Sequence, residues 1–312
     1  MIGLAIIAFL LSYIWKCWDT LKATHLAIKL DMLLLSFSLG IVSFGIYSMA
    51  WFVLIQSETA SVRFIESNYM LAKGNLGKYI PGRIWQFVGR LYFFSHMGVS
   101  KGKIVMIAIL EQYLLLVSAF VVFAICYLAS PGLFGNFYVP YLKYIVAAGL
   151  LVGLVSLHPK NISFWTRLLA KVTHSQFVQV SFSFRSLLVV LSLYLIYWMI
   201  TGLSVLFLAK GGVSIPSSFI LFIAGVNAVA YVVGYLSLVT PNGLGIREGV
   251  LTYLLETILL EGFGAMVSIA SRLMLIACEI GYFLIAFFLY KWEERRIASL
   301  RGKLKEEALN IG

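Results

Sequence analysis

Charged side chains are scarce in this 312-residue sequence, at 12% against the ~25% of an ordinary soluble domain. Soluble folds keep charge at their water boundary, so a water-soluble enzyme is excluded. Low hydrophobicity, the mark of disorder, is missing too: 61% of residues are hydrophobic and mean hydropathy is +0.96. The ten-residue apolar–polar alternation of barrel strands is absent, and unbroken apolar runs of helical length stand in its place. Cysteine is rare. Cys17, Cys126 and Cys278 lie far apart with no CxxC pair, which excludes a zinc site or a disulfide framework read from spacing. His25, His96, His158 and His174 are scattered without metal-ligand spacing. There is no GxSxG elbow, no Walker loop and no dinucleotide fingerprint, so neither a serine-hydrolase site nor ATP-driven work by this chain is supported. No metal, cofactor or catalytic residue is expected. The N-terminal run Ile2–Trp15 lacks a basic leader and a cleavage site, and reads as a retained first helix.

What the sequence has is an all-α polytopic membrane pattern of about eight or nine transmembrane segments. Apolar stretches cover roughly 1–17, 32–55, 104–129, 138–157, 187–209, 217–240 and 264–290. Two more, 65–98 and 243–260, are apolar but interrupted by Pro, Gly and charge. Lys and Arg total 24 against 13 Asp and Glu, a net +11, which basic cytoplasmic loops explain without nucleic acid as a partner. Lys160, Arg167, Lys171 and Arg185 place the loop 158–186 inside; the uncharged stretch from Ser130 to Phe134 goes outside. The N-terminus then falls outside and the C-terminal tail inside. The division expected is one transmembrane domain, 1–290, and a basic cytoplasmic tail, 291–312, lying as an amphipathic helix on the membrane surface.

A weak internal repeat runs through this domain. Unit 32–129 and unit 217–290 each hold an apolar helix, a Pro/Gly-broken charged segment and a helix with intramembrane charge, with 138–209 as linker helices. Pro81 precedes Glu111 by 30 residues and Pro241 precedes Arg272 by 31. The charge-based orientation starts the units from opposite sides, which is the inverted repeat of secondary transporters. Whether the broken segments cross the membrane or re-enter it stays open.

Those segments carry the chemistry. The stretch from Asn75 to Arg90 breaks a helix at Pro81 and Gly82 and surrounds the break with Lys78, Arg83 and Arg90. Irregular backbone at membrane depth is tolerated only against protein or a wet cavity, and freed N–H groups and guanidinium forks both favour an anion. The segment is thus either a binding site for an anionic headgroup or a basic anchor at the cytoplasmic edge. The stretch from Thr240 to Gly249 repeats the ingredients with Arg247 and Glu248. Adjacent residues on a helix point about 100° apart, so each of these is expected to find a partner elsewhere: Glu111 or Glu279 for the arginine, Arg272 or Arg83 for the glutamate. A single network joining Glu111, Arg247, Glu248, Arg272 and Glu279 is expected, either locking helices or serving transport. Candidate substrate-binding residues are Asn75, Lys78, Arg83, Trp85, Gln86, Arg90, Asn242, Arg247 and Arg272.

The run Asn-x-x-Lys-Tyr-x-Pro-Gly-x-x-Trp-x-x-x-Gly-Arg (Asn75 to Arg90), with Glu111 in the next helix, resembles the lysylphosphatidylglycerol synthase transmembrane-region family. So does Pro-x-Gly-Leu-Gly-x-Arg-Glu (Pro241 to Glu248), with Arg272 following. Where the family often has Glu-Arg, this chain has Glu111-Gln112, so one intramembrane cation is missing. The resemblance implies a stand-alone flippase-like membrane module without the soluble aminoacyltransferase domain. Its cargo would be an anionic lipid or a polyprenyl-phosphate-linked saccharide of the cytoplasmic membrane, and its partners would be envelope glycan enzymes. A membrane glycosyl- or phosphotransferase, or an accessory scaffold, is the alternative.

Overall fold

The computed structural model describes residues 2–18, 28–57, 62–80, 84–130, 132, 142–156, 182–237 and 243–311, and among these every regular element is a helix. In chain order they are α1 (Ile2–Lys16), α2 (Leu30–Gln56), α3 (Phe64–Asn75), α4 (Trp85–His96), α5 (Lys101–Ala129), α6 (Leu142–Ser156), α7 (Phe184–Lys210), α8 (Ile220–Leu236), α9 (Ile246–Leu255) and α10 (Phe263–Ile311). Long apolar sequences without water to satisfy their backbone have no cheaper solution than a helix. Five elements are long and apolar enough to span: α2, α5, α7, the run Ser217–Leu236 and the first part of α10. The apolar helices α1 and α6 have 15 residues each. Bulky side chains such as Leu273, Ile280, Leu284 and Phe288 stand exposed along α10, as lipid-facing positions require.

The first interrupted segment folds back on itself, and the second folds back along the apolar helix before it. α3 ends in a 3₁₀ turn, Leu76–Tyr79, and α4 returns along it. Glycine makes the approach possible: a Cβ on Gly77 would sit 2.7 Å from the Trp85 carbonyl oxygen. The second hairpin, α8 with α9, turns through Gly243, whose φ of +66° and 2.7 Å clearance from the Gly234 carbonyl oxygen leave no room for a side chain.

α2 and α7 form the longest seam, and they run antiparallel. Lys29 N–H donates to Gly211 C=O at 2.9 Å, Ser36 meets Ser204, and the Tyr47 ring meets Tyr194, so numbers rise on one helix as they fall on the other. The remaining contacts repeat about this seam. α3 pairs with α4 and α8 with α9; α5 packs on α7 and α8, while α10 packs on α2 and α3. The contacts therefore align α2–α5 with α7–α10 in opposite sense. In this pairing α2 is matched by α7 (Phe184–Lys210), one of the helices the sequence reading counts as linker. Two similar apolar helices, α7 and α8, precede the second break, and periodicity cannot say which matches α2.

α10 runs on through the expected tail as one helix of 49 residues, ~73 Å long at 1.5 Å per residue. No proline interrupts Phe263–Ile311, so nothing in the backbone turns the chain at the membrane edge.

Candidate functional site

Each hairpin brings an arginine on its return helix against the outgoing one. In the first, Arg90 lies in the bundle at 1% exposure and packs against Gly74. Its Nε and Nη2 donate to Asn75 Oδ1 at 3.0 and 2.6 Å, and Nη2 also donates to Tyr47 Oη at 2.6 Å. Nη1 donates to Glu111 Oε2 at 2.5 Å, and Tyr47 donates to the other Glu111 oxygen. Gln112 Nε2 adds a bond to Glu111 at 3.0 Å, and the guanidinium carbon lies 4.7 Å from the Trp51 ring centre. Arg90 thus supplies the cation for Glu111 that the Gln112 position lacks.

In the second hairpin Arg247 packs against Gly234, and its Nη2 donates to Asn227 Oδ1 at 3.1 Å. Its Nη1 is buried and makes no hydrogen bond. The nearest carboxylate oxygen, Glu248 Oε1, is 3.5 Å away, and the same oxygen is 3.4 Å from Arg272 Nη1. Glu248 Oε2 is already committed: it accepts the Gly245 backbone N–H at 2.7 Å and closes the start of α9. Two guanidiniums therefore share one oxygen of one carboxylate. Glu248 meets Arg272, one of its two expected partners, while Arg247 turns to Asn227 and to the adjacent Glu248 rather than to Glu111 or Glu279.

The expected single network is three separate clusters. Glu111 belongs to Arg90, Glu248 to Arg247 and Arg272, and Glu279 to Lys78. Lys78 Nζ lies 2.7 Å from Glu279 Oε2, and Tyr79 Oη donates to the same oxygen at 2.5 Å, so the turn after α3 is clasped to α10. Among these groups four cations, Lys78, Arg90, Arg247 and Arg272, face three carboxylates, Glu111, Glu248 and Glu279, which leaves one positive charge over.

All four cations line one central cavity of about 140 Å³. That is room for on the order of ten waters. Asn75 and Gln86 also line it, while Trp85 opens α4 half-exposed and does not. Arg83 and Asn242 lie outside the described residues. The walls come from both repeats: Tyr47 and Lys78 from the first, Tyr197, Trp198, Asn227 and Tyr231 from the second. The aromatic wall was not among the expected site residues. Tyr and Trp are abundant throughout this sequence, so only their convergence distinguishes these.

Helical hairpins crowded about an antiparallel seam, with a charged cavity between them, define a multi-pass helical membrane protein. The chain belongs to the family described as the lysylphosphatidylglycerol synthase transmembrane region, whose model matches residues 1–285. No curated protein matches it significantly.

Proposed function

We propose that this protein is a flippase that carries an anionic lipid, either a phospholipid or a polyprenyl-phosphate-linked saccharide, across the cytoplasmic membrane with its C-terminus in the cytoplasm. The observation that carries this reading is the surplus positive charge in the cavity. Arg247 Nη1, buried and without a hydrogen bond, and Arg272 share a single carboxylate oxygen. A buried cation left under-neutralised is costly unless something completes it, and a phosphate is the group that guanidinium forks suit best. The comparison between units supports the same point. Where the first unit sets Glu111 against Arg90, the second sets Arg272 near Arg247, so an external anion takes the role Glu111 plays in the closed half. Antiparallel repeats with broken segments at their interface supply two mirror-related ways to expose one cavity, as alternating access requires.

Arg247→Gln and Arg272→Gln test the reading in proteoliposomes carrying fluorescent phosphatidylglycerol or a fluorescent prenyl phosphate, with a membrane-impermeant quencher. A charge-assisted bond lost from the bound phosphate lowers transport about tenfold or more in each variant. Full activity in both, for whichever probe the wild type moves, overturns the assignment.

A further inference from the structure

Resting on that reading, we infer that the cargo's phosphate is followed by an uncharged polyhydroxylated group, a glycosyl headgroup, and that the cavity holds this group against α7 and α8 while rejecting aminoacylated lipids. The positive end and the aromatic wall are joined by a chain of short contacts. Arg247 Nη2 donates to Asn227 Oδ1 at 3.1 Å, and Asn227 Nδ2 donates to Thr201 Oγ1 at 3.3 Å. Thr201 Oγ1 in turn donates to the Trp198 carbonyl at 3.0 Å. Asn227 and Thr201 both face the cavity, and Tyr231 and Trp198 stand one helical turn from them on the same walls. The Trp198 and Tyr231 rings lie 4.9 Å apart, with Tyr197 5.0 Å from Trp198 and Tyr235 5.9 Å from Tyr231. A phosphate held at Arg247 and Arg272 therefore has, at one residue's remove, a side-chain amide, a hydroxyl and an aromatic cluster in which Trp198 and Tyr197 back the half-buried rings of Tyr231 and Tyr235.

That combination suits a sugar. The C–H faces of a pyranose pack on aromatic rings, whose faces are electron-rich, while its hydroxyls exchange bonds with amides and hydroxyls. It does not suit an ammonium group. Rings alone do attract cations, but here Lys78, Arg90, Arg247 and Arg272 share the same lining with one acid, Glu279. Glu279 Oε2 already takes Lys78 and Tyr79, so its charge is spent on Lys78, and its buried Oε1, which has no hydrogen-bond partner, is left to accept from a hydroxyl. An aminoacyl ester would bring a further positive charge into a site that is already one in excess.

Binding to the purified full-length protein in detergent tests this, read from tryptophan fluorescence with Trp198 in the cavity wall. Three probes are compared: a short-chain prenyl phosphate, the same prenyl phosphate carrying one hexose, and lysyl-phosphatidylglycerol. The glycosylated probe binds about five- to tenfold more tightly than the bare phosphate, and the lysyl lipid binds most weakly. Tyr231→Leu brings the glycosylated probe down to the affinity of the bare phosphate. Equal affinity of the two prenyl phosphates for the wild type, or tightest binding of the lysyl lipid, overturns the inference with no variant needed. Failure of the anion reading itself looks different: Arg272→Gln then changes the affinity of neither prenyl phosphate.

Discussion

Removing the Arg90 guanidinium leaves Glu111 at 0% exposure, with only Tyr47 and Gln112 for company. Breaking one side of a buried ion pair typically costs about 3–5 kcal/mol, because the remaining charge stays desolvated. Arg90→Met therefore lowers the melting temperature in detergent by roughly 10 °C, measured with a thiol-reactive dye on the buried Cys126 and Cys278. The double variant Arg90→Met, Glu111→Met recovers part of the loss, since it removes the orphan as well. Arg272 behaves in the opposite way. Its neighbour across the cavity is Arg247, and the two share one carboxylate oxygen. Arg272→Gln relieves that like-charge contact, so the same dye assay gives an unchanged or raised melting temperature while transport falls. A melting temperature that drops with Arg272→Gln as far as with Arg90→Met shows that both arginines are structural.

At the scale of elements, the sequence announced the breaks but not their shape. Pro81, Gly82, Pro241 and Gly243 mark where helices end, and marginal lengths left crossing and re-entry equally open. What decides is the fit of α3 on α4, which depends on a glycine meeting a backbone across the hairpin rather than on any local propensity. Gly77 is the tightest such point in the first hairpin. Gly77→Val forces α4 away from the turn and costs at least about 2 kcal/mol, read as a lower melting temperature together with faster amide exchange across 76–90. The same dependence on tertiary contact explains why the expected network held all three acids but neither Arg90 nor Lys78, the cations that two of them meet. Spacing grouped Glu111, Arg247, Glu248, Arg272 and Glu279 in apolar or broken segments, yet partner choice followed which hairpin leans on which long helix. Arg90 met Glu111 because α4 packs on α5. Lys78 met Glu279 because α10 crosses to the first hairpin.

For the whole molecule, the antiparallel seam and the clasp between repeats predict different mechanical roles. Ser36 and Ser204 exchange hydrogen bonds across α2 and α7, with their hydroxyl oxygens 3.1 Å apart. The clasp lies elsewhere: Tyr282 of α10 donates to Asn68 of α3 at 2.5 Å, one side of the contact that Lys78 and Glu279 continue. If the two repeats rock about the seam, distances along it stay fixed while α3 and α10 must part. In a background with Cys17, Cys126 and Cys278 replaced by Ala, a Ser36→Cys, Ser204→Cys disulfide keeps transport within about twofold of its reduced form. A short bismaleimide across Asn68→Cys and Tyr282→Cys, neither of which lines the cavity, stops transport relative to the same variant before linking. Each linked form is compared with its own unlinked form, so a loss confined to the second is a loss of motion. Arrest by the seam disulfide with free transport through the linked clasp would put the hinge in the wrong place and leave α3 and α10 as a static wall.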